Sequence, residues 1–351
     1  MSAFRSLKSA VFYAARSTGL DVAIQNSSWR RSKLLILCYH GVSVADEHEW
    51  SDLFVSDAHL RRRLTLLRQL GVRIAPLGEA LDALWSGALS EPTVSLTFDD
   101  GFADFALRAA PALREHNLPA TVFLSTYYCV HQLPVFDPWS AYLMWRGAGR
   151  RASLGPLGER IALPARGQVA ERFVLHNRLR DACAERQYSA ADKHEVLRGM
   201  CESIDIDFDA LCASRLMHIM NEEEIQSLPA HLVDLQLHTH RHRIEPGRRA
   251  FHEDLATNEK IVMQLSRDDT PRRHFCYPMG KYDAMSRANL AAYPMQSAVT
   301  CDPGLVSQHA DRLLLPRLVD TMAMSDATFS AWVTGFAAWL PFRRADGSIT
   351  I

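Results

Sequence analysis

Apolar residues fall along this chain in two rhythms. Short unbroken runs, such as Leu34-Leu35-Ile36-Leu37-Cys38-Tyr39 and Thr93-Val94-Ser95-Leu96-Thr97-Phe98, are rich in aliphatic, β-branched and aromatic residues. Runs of this length, closed by a glycine turn as at Gly101, mark buried strands. Between the runs, apolar residues recur at helical spacing, as in Leu60, Leu64 and Leu67 after Asp57, which is placed to cap a helix. The pattern predicts strands over 34–39, 72–76, 93–98, 120–125, 232–237, around Phe275 and over 297–301. Helices are predicted over 57–70, 79–85, 102–115, 253–265 and 284–292. Strands alternating with helices imply parallel pairing through right-handed crossovers, an α/β fold. A sheet of this kind rolled into a barrel brings its strand ends to one rim.

Residues from about 138 to 222 interrupt the alternation and are too many for an ordinary loop. Within them, 172–186 and 191–204 carry helical spacing, with Leu175, Leu179 and Cys183 on one stripe. This predicts a helical insertion, acting either as a lid or specificity element or as an appendage. The division expected is an N-terminal helical segment over 1–32, a main domain over 33–320 and a C-terminal helix and tail over 321–351.

Composition narrows the function. Among 351 residues, 48% are hydrophobic, enough for a buried core, and the formal net charge of -1 leaves no electrostatic footprint for nucleic acid. The apolar stretch Ala10 to Ala15 stops at Arg16 and is too short for a transmembrane helix. Arg5, Lys8 and Arg16 leave two readings of this segment, a helix packed on the domain or a surface helix making peripheral membrane contact. Seven cysteines without a CxxC pair read as reduced thiols, hence a cytoplasmic protein, membrane-associated if the surface-helix reading holds.

The chemistry starts at Asp99-Asp100, at the end of an apolar strand. Adjacent carboxylates repel unless a cation or a shared proton relieves them, which points to a metal or to acid/base work. The competing reading makes Asp100 the cap of the next helix. Downstream, His238-Thr239-His240-Arg241-His242 offers imidazoles. Zinc takes neutral imidazole and carboxylate ligands, three of them at catalytic sites, and Asp100, His238 and His242 would supply that set. The pair His238 with His240 stays open at this level, as does a solvated basic loop. A third segment, His274-Phe275-Cys276-Tyr277-Pro278-Met279-Gly280, reads as a short strand stopped by Pro and Gly. His40, at the end of the first strand, is either functional or a core histidine bonded to a buried carbonyl.

Taken together, Thr97-Phe98-Asp99-Asp100-Gly101, His238-Thr239-x-x-His242 and Tyr277-Pro278-x-Gly280 resemble the motifs of the NodB-like polysaccharide deacetylases, metal-dependent carbohydrate esterases. Cys38-Tyr39-His40-Gly41-Val42 resembles the opening strand of members whose motif order is permuted. The resemblance spans roughly 33 to 320, apart from the insertion. It implies an irregular (β/α) barrel of about seven strands and a divalent metal, zinc above others, held by Asp100, His238 and His242. Asp99 matches the general base toward the attacking water, and His40 the general acid for the leaving amine. The backbone amide of Met279, with Tyr277 beside it, falls at the oxyanion and substrate position. Many relatives carry an Arg where this chain has Cys276, and Arg317 is the residue expected to replace it in orienting the base. The implied activity is hydrolysis of an N-acetyl amide on a sugar of a polysaccharide or lipid-linked glycan precursor. The alternatives are a deformylase or other amidase of a modified sugar, and a glycan-binding relative without catalysis.

Overall fold

The computed structural model describes residues 11–12, 17–267, 269–340, 342–343 and 349–350. Eight parallel strands form the central sheet: β1 Leu34–Tyr39, β2 Arg73–Ile74, β3 Thr93–Asp100, β4 Ala120–Leu124, β5 Val233–Leu237, β6 His274–Cys276, β7 Ser297–Val299 and β8 Leu318–Val319. The neighbour order is β7-β6-β5-β4-β3-β1-β8, and β2 pairs only with Thr93 and Val94 of β3. The sheet curls into an open, irregular barrel, the α/β architecture that the alternation implies. Helices α1 Asp57–Gln69, α2 Leu77–Trp85 and α3 Ala110–His116 belong to the first half. Three more, α4 Phe136–Arg146, α5 Val169–Glu185 and α6 Ala190–Ser203, lie between β4 and β5. The second half adds α7 Arg248–Ser266, α8 Ala284–Ala291 and α9 Asp326–Thr334.

β1 shows why its sequence is apolar without interruption. All six of its residues are buried, and the two faces of the strand enter different clusters. Leu35, Leu37 and Tyr39 join the large core, whereas Leu34 and Ile36 pack with Leu77, Leu81 and Leu84 of α2. A strand covered on both faces has no polar side to alternate with.

Several boundaries differ from the expectation. The cap of α1 is Ser56, whose hydroxyl accepts from His59 N, while Asp57 is already helical. Residues 102–115 are not one α-helix: Phe105–Ala109 is π-helical and α3 follows it. β3 continues past Phe98 through Asp99 and Asp100, both in register with β4, so Asp100 does not cap a helix. β8 has only two residues, too few to show a period, and pairs Leu318 with Leu37 and Val319 with Cys38. Most of the segment read as an N-terminal surface helix lies outside the described residues. Among the described residues, no helix is long and apolar enough to cross a membrane.

The helices between β4 and β5 extend the large core, with Trp139, Leu143, Leu179, Leu197 and Met200 buried in it. Trp139 Nε1 donates to Leu216 O at 2.8 Å, fixing the returning chain. That return docks on the loop after β3, where Ala103 N donates to His218 O at 2.7 Å and Met220 N to Gly101 O at 2.9 Å. The insertion is thereby joined to the turn that carries Asp100.

Candidate functional site

The strand ends assemble the site at one rim. Asp100 closes β3 with φ of 68°, and Gly101 follows at 81°, a left-handed pair that turns the chain sharply. Such a conformation costs energy at a non-glycine residue and persists where the surroundings impose it. A Cβ at position 101 would fall 2.3 Å from Leu124 Cδ1, so glycine is required there by contact as well as by φ.

The turn aims Asp100 at the loop after β5. His238 Nε2 lies 3.1 Å and His242 Nε2 3.0 Å from Asp100 Oδ1. One ligand atom from each of the three lies within 4.8 Å of the others. His238 Nδ1 is 2.8 Å from Cys276 O. A carbonyl can only accept, so Nδ1 carries a proton, and in the neutral ring the Nε2 lone pair faces the Asp100 oxygen. Two lone pairs facing each other are relieved by a cation between them or by an imidazolium, and the donor set suits a divalent ion of the zinc type. Burial alone would raise the Asp100 pKa, but His242 and His238 hold it well below the usual carboxylate range. Burial alone would lower His242, but Asp100 pushes it up.

Asp99 shares His238 as a neighbour, with ligand atoms within 4.8 Å, but its carboxylate is held by a different set. Arg317 Nη1 donates to its Oδ1 at 2.7 Å and Nη2 to Oδ2 at 2.6 Å, a bidentate grip between fully buried groups. The Cys276 and Cys38 thiols donate to Oδ2 at 3.3 and 3.5 Å; burial pushes both thiols up, so they remain protonated donors. Burial would raise the Asp99 pKa, but the Arg317 guanidinium outweighs it and keeps the carboxylate ionised. His40 Nε2 stands 3.8 Å from Asp99 Oδ2 and is partly exposed. Arg317 is itself aimed by Thr300 O and Thr97 Oγ1, at 2.9 and 3.0 Å.

The profile of the polysaccharide deacetylase family matches residues 86–149, the segment that holds β3 and the paired aspartates. That segment of the chain is similar to the polysaccharide deacetylases. Among solved structures it is similar to IcaB from Ammonifex degensii, at 19% identity over 86% of this chain and 97% of that one, TM-score 0.53. It is similar also to the Streptococcus pyogenes deacetylase PplD in complex with acetate, at 17% identity over 84% and 96%, TM-score 0.52. The de-N-acetylase from Aggregatibacter actinomycetemcomitans aligns at 14% identity over 86% and 99%, TM-score 0.54. At these identities the likeness is one of fold. No curated protein matches the sequence.

Within this fold, the sequence-predicted residues separate into two groups. Asp99, Asp100, His238, His242, His40 and Arg317 converge. Met279 stands at the mouth, half exposed and left-handed at φ 58°, and with His242 it lines a cleft of about 440 Å³. His240 does not converge: its Nδ1 lies 3.0 Å from Thr126 Oγ1. Tyr277 is placed in the core rather than on the cleft. Its ring is fully buried against Phe275 and Tyr282, and its N–H donates to Val299 O at 3.3 Å. Sequence reasoning missed the two thiols on Asp99 and the buried polar pair Asp254 and Asn258. A polar residue on the apolar stripe of α7, beside Phe251, Leu255 and Val262, was the available signal for that pair.

Proposed function

We propose that this chain is a metal-dependent N-deacetylase that hydrolyses the N-acetyl group of a sugar in a polysaccharide or lipid-linked glycan. The observation that carries this reading is the meeting of His238 Nε2 and His242 Nε2 on Asp100 Oδ1, with Asp99 and His40 alongside. Asp100, His238 and His242 would hold the ion; when bound, it acidifies a water molecule and polarises the amide carbonyl. Asp99, anionic and fixed by Arg317, orients the attacking water and takes the proton that it loses as the carbon–oxygen bond forms. His40, 3.8 Å from Asp99, is placed to deliver a proton to the leaving nitrogen. The Met279 amide, held at the cleft mouth by a left-handed turn, is the donor assigned to the developing oxyanion, a role worth roughly 3 to 4 kcal/mol. Two of the structures it is similar to, a de-N-acetylase and a deacetylase in complex with acetate, support the same chemistry.

Cys276 stands where many relatives have an Arg, the feature that favoured a non-catalytic relative. Arg317, just before β8, supplies a guanidinium to Asp99, which supports catalysis instead. The test is mass spectrometry of N-acetylated oligosaccharides and lipid-linked sugars incubated with zinc-loaded protein. Deacetylated product with free acetate, lost on chelation and restored by metal, is expected. Formate in place of acetate would move the assignment to a deformylase, and zinc uptake without turnover of any N-acyl glycan would move it to a binding protein.

A further inference from the structure

The loop bearing His238 and His242 is under backbone strain. Thr239 and His242 both adopt left-handed φ, 64° and 53°, which cost energy in residues with a Cβ. Something outside the loop must hold it, and α7 supplies the contacts. Asn258, fully buried, accepts from His238 N at 3.0 Å through Oδ1. Its Nδ2 donates to Leu124 O and to Thr126 Oγ1, both at 3.0 Å, so both amide hydrogens and the carbonyl oxygen are engaged across two strand ends. One helical turn earlier, Asp254 accepts from His240 N at 2.7 Å. Thr126 Oγ1 closes the circuit on His240 Nδ1.

We propose that Asn258 and Asp254 are positioning residues that clamp the 238–242 loop in the strained shape which aligns His238 and His242 on Asp100. The pair touches no substrate and acts only through the loop. That the loop serves a metal rests on the function proposed above; that α7 holds its shape does not.

The test compares variants of the full chain for melting temperature, amide hydrogen exchange over 238–243 without metal, and zinc affinity by chelator competition. Asn258→Leu is close in volume and lacks the hydrogen bonds. It should speed loop exchange at least about tenfold and weaken zinc binding by about 10- to 100-fold, the usual scale for residues that orient a ligand. Val262→Ala, a core truncation on the same helix, should lower the melting temperature without either effect. Asp254→Asn keeps an acceptor for His240 N and should stay near wild type, while Asp254→Leu should follow Asn258→Leu; this second pair decides the matter if Asn258→Leu does not fold. Wild-type loop exchange in folded Asn258→Leu or Asp254→Leu, or the same loosening in Val262→Ala, overturns the clamp. Loosened exchange in a protein that takes up no zinc even as wild type would support the clamp and sink the metal reading alone.

Discussion

Arg317 reaches Asp99 from a strand edge on the far side of β1, and its two terminal nitrogens each meet one carboxylate oxygen. Removing the cation from a fully buried ion pair leaves an uncompensated charge, which costs about 3 to 5 kcal/mol. Arg317→Met should therefore lower the melting temperature sharply and reduce kcat. Arg317→Lys should recover part of the stability but less of the rate, because an ammonium cannot make the two parallel bonds that orient the carboxylate. The sign of the pH effect follows from the depressed pKa of Asp99. Its contribution is complete above about pH 4, the unfolded carboxylate value, and is lost only as pH falls toward the lower folded value. Thermal melts from pH 7 to 3 should show the wild type keeping the Asp99 contribution down to about pH 4, while the deficit of Arg317→Met, whose buried Asp99 has a raised pKa, shrinks as pH falls and that carboxyl takes up a proton.

Much of this site was legible because its parts carry local signals. Asp99 and Asp100 end a recognisable strand, and His238 and His242 follow another. The partner of Asp99 was harder to place: Arg317 sits before a two-residue strand with no period of its own, and only the missing Arg at position 276 suggested that another was needed. Roles of the backbone are set by tertiary packing, which explains the misplacement of Tyr277. Nothing in Tyr277-Pro278-Met279-Gly280 says which residue turns inward; the structure buries the tyrosine between Phe275 and Tyr282 and leaves Met279 outside. Likewise, helical spacing over 253–265 marks a helix but does not show that Asn258 will meet a strand end.

The two aspartates should separate cleanly on substitution. Asp100→Asn removes the charge that would hold a divalent ion, so zinc content and activity should fall together. Asp99→Asn leaves the ligand atoms in place; zinc content should persist while kcat falls by roughly 10² or more. Metal analysis and kinetics on the same preparations check this, and equal zinc loss in both variants would abolish the distinction.

His40 offers a test through pH. If it protonates the leaving nitrogen, His40→Ala should cut kcat by roughly 10² or more and remove the alkaline limb of the pH-rate profile. Folding and zinc content should be retained, since the imidazole is partly exposed and lies 3.8 Å from Asp99. An intact alkaline limb in this variant would exclude the acid role.

Stability in mild acid should be governed by two histidines away from Asp100, His238 and His242. Burial pushes His218 and His274 down to about 4. In the unfolded chain each titrates near about 6.5, so the unfolded state takes up protons first as pH falls, and stability declines between about pH 6.5 and 4. Each contributes a loss on the order of 2 to 3 kcal/mol across that window. Replacing one of them, as in His218→Gln, should flatten the slope of melting temperature against pH; an unchanged slope would show that other groups carry the acid sensitivity.

Moving the guanidinium back to the position many relatives use gives the most discriminating experiment. Cys276 is fully buried, with Sγ 3.2 Å from Arg317 Nη2, so Cys276→Arg would drive a second guanidinium into the first. Overpacking alone costs about 1 to 3 kcal/mol, and like-charge repulsion adds to it. The single variant should therefore be less stable and less active than wild type. Arg317→Ala should be impaired for the opposite reason, since Asp99 then has no cation. In the double variant, Cys276→Arg with Arg317→Ala, the space vacated by one side chain receives the other, and both stability and kcat should exceed those of either single variant. A coupling energy near zero in this double-mutant cycle would mean that the two positions do not serve the same carboxylate.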